Sequence, residues 1–389
     1  MKKNIVILGS NSELSITIID FFKKYNNKYN IVGITYDGSE DNLDLFLKQI
    51  KEINPKSIYV DKKEDFDLIQ AKEISDNQNL FYGDDSFIKF LKSTEIDIVV
   101  SSLRGSSSIK KILSSIYEYK DITLLNSSPI LYSGQVIVQE AKSKGVSLNI
   151  CTYPIYSLAQ FLRSRKIEDI YSLHFFSSKH KEETKNKDLD PDDYDNYLKF
   201  VKKYNSINKT KVLYEAFLTY YLYNIPINKI NFYEQSKSLI SIAVQFKDGS
   251  NLLNTTNKDI ENIFNYFFLD SDLLTKQNIP IYETLTISIC KINLDDYKLL
   301  KLGVNALERK GSTPILFYIT LDKLIEMIYG KTLKKGTDVS KVIEEIINDK
   351  EIYNKKLDLG SIYALEKRIS DRLNEKYSNL KPKKWNKRL

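Results

Sequence analysis

Residues able to do chemistry gather, in this chain, in short turns between apolar runs. Two such turns lie between Ile122 and Leu162: Asn126-Ser127-Ser128-Pro129 and Thr152-Tyr153-Pro154-Ile155-Tyr156. Neither holds an ionisable acid or base other than Tyr. A third, Gly9-Ser10-Asn11-Ser12-Glu13-Leu14-Ser15, opens on a single glycine. A fourth sets Arg104 and Gly105 beside a run of serines, which would either cradle a phosphate or cap a helix. Asn208 and Lys209 stand at the start of a helical pattern, where free backbone N–H groups, the positive end of the helix dipole and an ammonium favour an anion. The alternative for that pair is an N-cap followed by a solvated first-turn lysine. The two histidines, His174 and His180, read as strand packing and loop solvation.

These turns need elements to hold them. Ile122 to Leu125 and Val146 to Cys151 are apolar, β-branched runs, and between them Leu131, Val136, Ile137 and Ala141 recur at roughly helical spacing until Gly145. That is a βαβ unit. In an open α/β sheet ligands collect beyond the carboxyl ends of the strands, so Asn126–Pro129 and Thr152–Tyr156 are read as loops placed for chemistry. Asn4 to Gly9 is a further strand, followed by Asn11 and Ser12 as candidate N-caps and a helix through Ile16, Ile19 and Phe22. Tyr29 to Thr35, Ser57 to Val60 and Ile96 to Ser101 continue the parallel set. Beyond them, Ile170 to Phe176 is strand-like, the charged run from Ser177 to Asn205 reads as loop, and Ile240, Ile242, Val244 and Phe246 alternate as one buried face of a strand. Helical patterns occupy residues 295–311, 312–330, 338–348 and 359–377.

Bulk composition excludes several classes of protein. A net charge of +7, from 58 basic and 51 acidic residues, is a mild surplus that a solvated surface absorbs, so nucleic acid is not implied. Two cysteines, Cys151 and Cys290, suit a reducing, cytoplasmic interior without a disulfide framework. Met1-Lys2-Lys3-Asn4 runs straight into a strand, and no window reaches the ~18 apolar residues that a membrane span needs, so neither secretion nor membrane insertion is expected.

The order of these blocks resembles the 1-deoxy-D-xylulose 5-phosphate reductoisomerase family over nearly the whole chain. The family's Asn-Lys-Glu-Ser and Asp-Ser-Glu-His loops correspond to the turns at Asn126 and Thr152, and Ile207-Asn208-Lys209-Thr210-Lys211-Val212 resembles its Met-Asn-Lys-Gly-Leu-Glu. Glu234-Gln235-Ser236 resembles its Pro-Gln-Ser, and Leu316 to Asp322 its Asn-Ala-Ala-Asn-Glu helix, with Tyr318 and Leu321 in place of the polar pair. Pattern and resemblance together give an α/β protein: an N-terminal Rossmann-like doubly wound parallel sheet (1–150), a central α+β domain (151–280), a C-terminal helical domain (281–377) and a basic tail (378–389) carrying Trp385, the only tryptophan.

The resemblance implies NADPH and Mg²⁺ or Mn²⁺ as cofactors, a homodimer, nucleotide contacts at Gly9, Ser10, Asn11, Gly105 and Asn126, and a substrate-phosphate contact at Asn208 and Lys209. The chain departs from the family where those groups would bind. The three metal carboxylate positions hold Thr152, Pro154 and Val212, and Mg²⁺ or Mn²⁺ requires oxygen ligands, usually carboxylates. Ser12 and Ser15 replace phosphate-loop glycines, Glu13 puts a carboxylate at the helix N-terminus, and Asp37, Glu40 and Asp41 replace the surroundings of a cation that would face the 2′-phosphate. The expectation is therefore a homologue without the family's metal and NADPH sites, kept as a homodimer or as a binder of a small phosphorylated ligand, with no catalytic residue assigned. The alternatives are a metal-free oxidoreductase or isomerase using Tyr153, Tyr156 or Lys209, and a reductoisomerase with relocated ligands.

Overall fold

The computed structural model describes residues 2–38, 43–72, 78–179, 197–255, 260–269, 286–349 and 357–379. Glu40, Asp41, His180, most of the charged run after Ser178 and Trp385 lie outside the described residues. The chain divides into two compact units: residues 1–130, 135–156 and 258–278 form one, and 131–134, 157–257 and 279–389 the other. Residues 151–156 and 258–278 of the expected central domain fall in the first unit, and the rest of it falls in the second with the expected C-terminal domain.

The first unit is built on seven strands: β1 (Lys3–Leu8), β2 (Tyr29–Tyr36), β3 (Ser57–Val60), β4 (Asn79–Tyr82), β5 (Ile98–Ser101), β6 (Asp121–Leu124) and β7 (Leu148–Ile150). Their order is β4-β3-β2-β1-β5-β6-β7, every pair is parallel, and Leu8 stands beside Ser101 where the order reverses. This is the doubly wound sheet that the apolar runs imply, with its crossover between β1 and β5. The helix after β1, Glu13–Lys24, is capped by Ser12, whose hydroxyl accepts from the Ser15 amide. It buries Ser15, Ile18, Ile19, Phe21 and Phe22, whereas Ile16 faces outward, one position away from the expected apolar stripe. Gly145 ends the helix Val136–Lys144 in the left-handed region at φ 65, a conformation that costs glycine nothing.

A helix from much later in the chain, Ile260–Phe268, completes this unit. Its Ile263, Phe264 and Phe268 are buried in the same core as Phe21, Phe22 and Tyr29, with Phe264 and Phe268 ring-packed on Phe21 at 5.7 and 6.0 Å. The Tyr29 hydroxyl donates to the Phe268 carbonyl, which satisfies both polar groups inside an aromatic core.

The second unit contains β8 (Ile170–Ser178), β9 (Ile230–Gln235), β10 (Ile240–Phe246), β11 (Asn251–Thr255) and β12 (Ile289–Lys291) in the order β11-β10-β8-β9-β12, of which only β8 and β9 pair in parallel. β10 is an interior strand, paired on both sides, and is buried on more than the alternating positions, since Ser241 and Ala243 are buried too. Gln235 holds the connection into it: its side-chain amide accepts from the Leu239 and Ile240 amides and donates to the Ile240 carbonyl. Residues 197–207, read from composition as loop, form a helix that buries Phe200. The helices Thr210–Tyr223, Lys298–Arg309, Thr313–Tyr329, Val339–Asn348 and Leu359–Tyr377 follow the predicted spacing, and Asp338 and Asp358 cap the last two. No described helix is long and apolar enough to cross a membrane.

Candidate functional site

At the carboxyl edge of the first sheet, the turns after β1, β5 and β6 are wired to one another. Gly9 has φ +72, and a Cβ there would meet the Ser102 hydroxyl at 2.8 Å and Leu103 Cδ2 at 2.9 Å, so the glycine is required by the β5 turn pressed against it. Ser10 is fully buried; its hydroxyl donates to the Gln49 side-chain carbonyl at 2.8 Å, and the Gln49 amide donates back to the Ser10 carbonyl at 2.8 Å. Thr35 takes the two adjoining amides, Gly9 N–H on its hydroxyl and Ser10 N–H on its carbonyl. The Ser102 hydroxyl donates to the Gly9 carbonyl at 2.7 Å.

Asn126, expected to face a nucleotide, donates its amide to the Ser102 and Leu103 carbonyls at 2.7 and 3.1 Å and accepts from the Ser128 amide at 3.1 Å. Gly105, at φ +69, donates its N–H to the Ser128 hydroxyl, and Asn11 is buried. The structure thus brings Gly9, Ser10, Asn11, Gly105 and Asn126 to one sheet edge, where Ser10 and Asn126 spend side-chain groups on protein partners. Ser15, at a family glycine position, carries a fully buried hydroxyl with no hydrogen-bond partner among the described residues. A hydroxyl in that place costs desolvation and gains nothing, whereas glycine would let the helix approach the strand.

The turn after β7 is a helix and not a loop: residues Tyr153–Phe161 are helical. Cys151, Tyr153 and Tyr156 pack into the first unit's hydrophobic core, and Tyr156 meets Tyr266 edge-on at 5.0 Å. Burial pushes the Cys151 thiol far up from its usual range, as it does for a thiol with no charged neighbour. The place read as a ligand-facing loop is therefore a packing surface, with Pro154 in its first turn.

In the second unit, Val212 is buried on the helix Thr210–Tyr223. Lys209, immediately before that helix, is neither solvated nor open to a ligand. Its side chain is 0% exposed; its ammonium lies 2.8 Å from Glu234 Oε1, donates to the Ser178 carbonyl at 2.8 Å, and sits 5.5 Å from the centre of the Tyr297 ring. The Tyr297 hydroxyl donates to the same Glu234 oxygen at 2.9 Å. Burial, and then the Glu234 carboxylate, push the Tyr297 phenol well above its usual range, which keeps it protonated as a donor. Asn208 turns its amide onto the Tyr204 carbonyl at 3.0 Å. Where a phosphate contact at Asn208 and Lys209 is expected, a carboxylate of the chain itself lies against the cation.

Sequence reasoning did not find Glu234 or Tyr297. A signal existed, because Glu234 stands at the proline of the family's Pro-Gln-Ser. A second cluster of the same unit lies under the residue replacing a family asparagine: Tyr318 meets Tyr132 and Tyr214 edge-on at 5.2 and 5.0 Å, and the Tyr132 hydroxyl donates to Asp322 at 2.6 Å. Burial raises the Tyr132 and Tyr214 phenols well above their usual range, Asp322 adding to Tyr132 and Tyr318 to Tyr214. Among the described residues no group of three or more His, Cys, Asp or Glu side chains is arranged to hold a metal ion. The donors at the family's positions, one threonine hydroxyl with proline and valine, do not fit a divalent cation.

Residues 5–134 match the family model described as 1-deoxy-D-xylulose 5-phosphate reductoisomerase. The reductoisomerase of Clostridium perfringens is 25% identical over 395 residues, covering 97% of this chain and 100% of that one. The chain is thus similar to this family along nearly its whole length. A second reductoisomerase, from Macrococcus caseolyticus, is 23% identical over 95% of this chain and 99% of its own. Solved family structures share the fold: the Zymomonas mobilis reductoisomerase in complex with NADPH superimposes with a TM-score of 0.80 at 14% identity, covering 96% of this chain and 98% of that one, and a DOX-P reductoisomerase in complex with magnesium gives 0.81 at 16%, over 97% and 98%.

Proposed function

We propose that this chain is a family member that keeps the reductoisomerase scaffold without its metal-dependent reaction on 1-deoxy-D-xylulose 5-phosphate in the isoprenoid pathway. The observation that carries this reading is the set Thr152, Pro154 and Val212 at the carboxylate positions, with Val212 buried. A divalent cation needs charged oxygen ligands, and replacing all three removes the charge that offsets its desolvation. The Lys209–Glu234 pair supports the same conclusion, because the ammonium that would meet a substrate phosphate is already neutralised. NADPH binding is weakened in this reading by Ser12, Ser15 and Glu13, and the protein acts as a cytoplasmic homodimer.

The test is a coupled assay with 1-deoxy-D-xylulose 5-phosphate, NADPH and Mn²⁺, beside calorimetric titration of Mn²⁺ and sedimentation for the dimer. No substrate-dependent NADPH oxidation and no stoichiometric sub-millimolar Mn²⁺ binding are expected. Mn²⁺-dependent turnover would overturn the reading.

A further inference from the structure

We infer that the pocket around the Lys209 ammonium is an oxyanion cradle occupied from within by the Glu234 carboxylate, so that removing this side chain creates a site for a small carboxylate or phosphate. The proposal rests on the reading that Lys209 is not open to a ligand in the wild-type chain. Its basis is the convergence of donors. Lys209 Nζ at 2.8 Å and the Tyr297 hydroxyl at 2.9 Å approach one oxygen, Glu234 Oε1, from residues that precede two different helices, while the Ser178 carbonyl and the face of the Tyr297 ring hold the ammonium in place. An ammonium and a phenol aimed at one point are the donors that a carboxylate or phosphate oxygen takes.

The lysine is fixed in position from several directions. Lys209 holds φ 59, left-handed backbone that is uncommon for a residue with a Cβ. The cation has no route to solvent, with a side chain 0% exposed, and a buried ammonium must keep a counter-charge or give up its proton. Glu234 supplies that counter-charge from β9, and its own side chain is 12% exposed, so the cradle adjoins solvent on the carboxylate's side. Asp296 is the other carboxylate near Tyr297, and the ion pair at Lys209 Nζ is made by Glu234. An oxyanion entering by the path of the deleted side chain would meet the same two donors.

The experiment is chemical rescue of Glu234→Ala, followed by thermal unfolding in chloride, formate, acetate and inorganic phosphate at constant ionic strength. The expected result is a variant strongly destabilised in chloride and restored by formate or acetate, with the folding equilibrium shifted about a hundredfold when the anion stands at a hundred times its dissociation constant. Wild type, and Glu234→Gln, in which an uncharged amide fills the space, should show no such response. The double variant Lys209→Met, Glu234→Ala should fold without added anion and ignore it, because it leaves no buried cation. If Glu234→Ala does not fold in chloride, recovery of folded protein on adding formate or acetate replaces the shift in midpoint. Equal responses of wild type, Glu234→Ala and the double variant would mark a general salt effect and overturn the proposal, and so would absence of rescue by all of the anions. These outcomes are independent of Mn²⁺ and NADPH, so the proposal can fail while the functional reading stands.

Discussion

Gly303 lies in the middle of the helix Lys298–Arg309, buried against the helix Thr210–Tyr223 that begins beside Lys209. Replacing it by alanine sets two effects against each other. In an exposed helix interior the change would stabilise by about 1 kcal/mol, the difference in helix propensity. Here a Cβ at Gly303 would lie 2.9 Å from both Cγ and Cδ1 of Leu213 and closer still to Cδ2, well inside the ~3.5 Å at which carbon atoms rest. Leu213 is 0% exposed, so it has nowhere to turn, and overpacking of this kind costs about 3 kcal/mol at the upper end of its usual range. The net expectation for Gly303→Ala is a destabilisation of about 2 kcal/mol, read as a lower urea midpoint at unchanged slope. Leu213→Ala alone should lose about 2 to 5 kcal/mol through its cavity, and the double variant should be less unstable than the sum of the two, since the new methyl fills space the leucine vacates. A Gly303→Ala protein as stable as wild type, or strictly additive effects, would refute the close approach of these helices.

Other expectations follow from the same structure. Asp358→Ala removes a carboxylate that accepts from the Ser361 amide at 2.7 Å in a reciprocal capping box, and should cost about 1 kcal/mol in urea unfolding. Hydrogen bonds from Lys376, then Tyr377 and Arg372, lower the Glu345 carboxyl to about 2. A depressed pKa means that the stabilisation is complete above the unfolded carboxyl value and fades as pH falls toward 2. Wild type should therefore exceed Glu345→Gln by under ~1 kcal/mol at neutral pH, a small gap because the network is exposed, and the two should converge below pH ~4. Burial, with Lys291 next, lowers His174, so its ring resonances should titrate below 6.5 in NMR spectra, and acidification through that range should weaken the fold. Ser12→Gly with Ser15→Gly should tighten NADPH binding in a fluorescence titration if the first turn is the nucleotide edge; unchanged binding would remove that assignment.

Much of the architecture was legible in the residues. Apolar runs ending in Gly9 or near Ser101 and the stop at Gly145 are local signals, each fixed by a few neighbours in the chain. The absence of carboxylates at Thr152, Pro154 and Val212 is equally a property of the sequence alone. What these residues touch was decided by tertiary structure. Tyr153 and Tyr156 read as loop tyrosines facing a ligand, yet both pack on the core of the first unit, and the helix Ile260–Phe268, more than a hundred positions later, sets Tyr266 and Phe267 against Tyr156. Lys209 read as a solvated or anion-binding cation because its partners are distant in sequence: Ser178 on β8, Glu234 on β9 and Tyr297 before another helix. Periodicity reports which face of an element is buried, but a charge is placed by whichever counter-charge the fold carries to it, and that pairing has no signature within a single element.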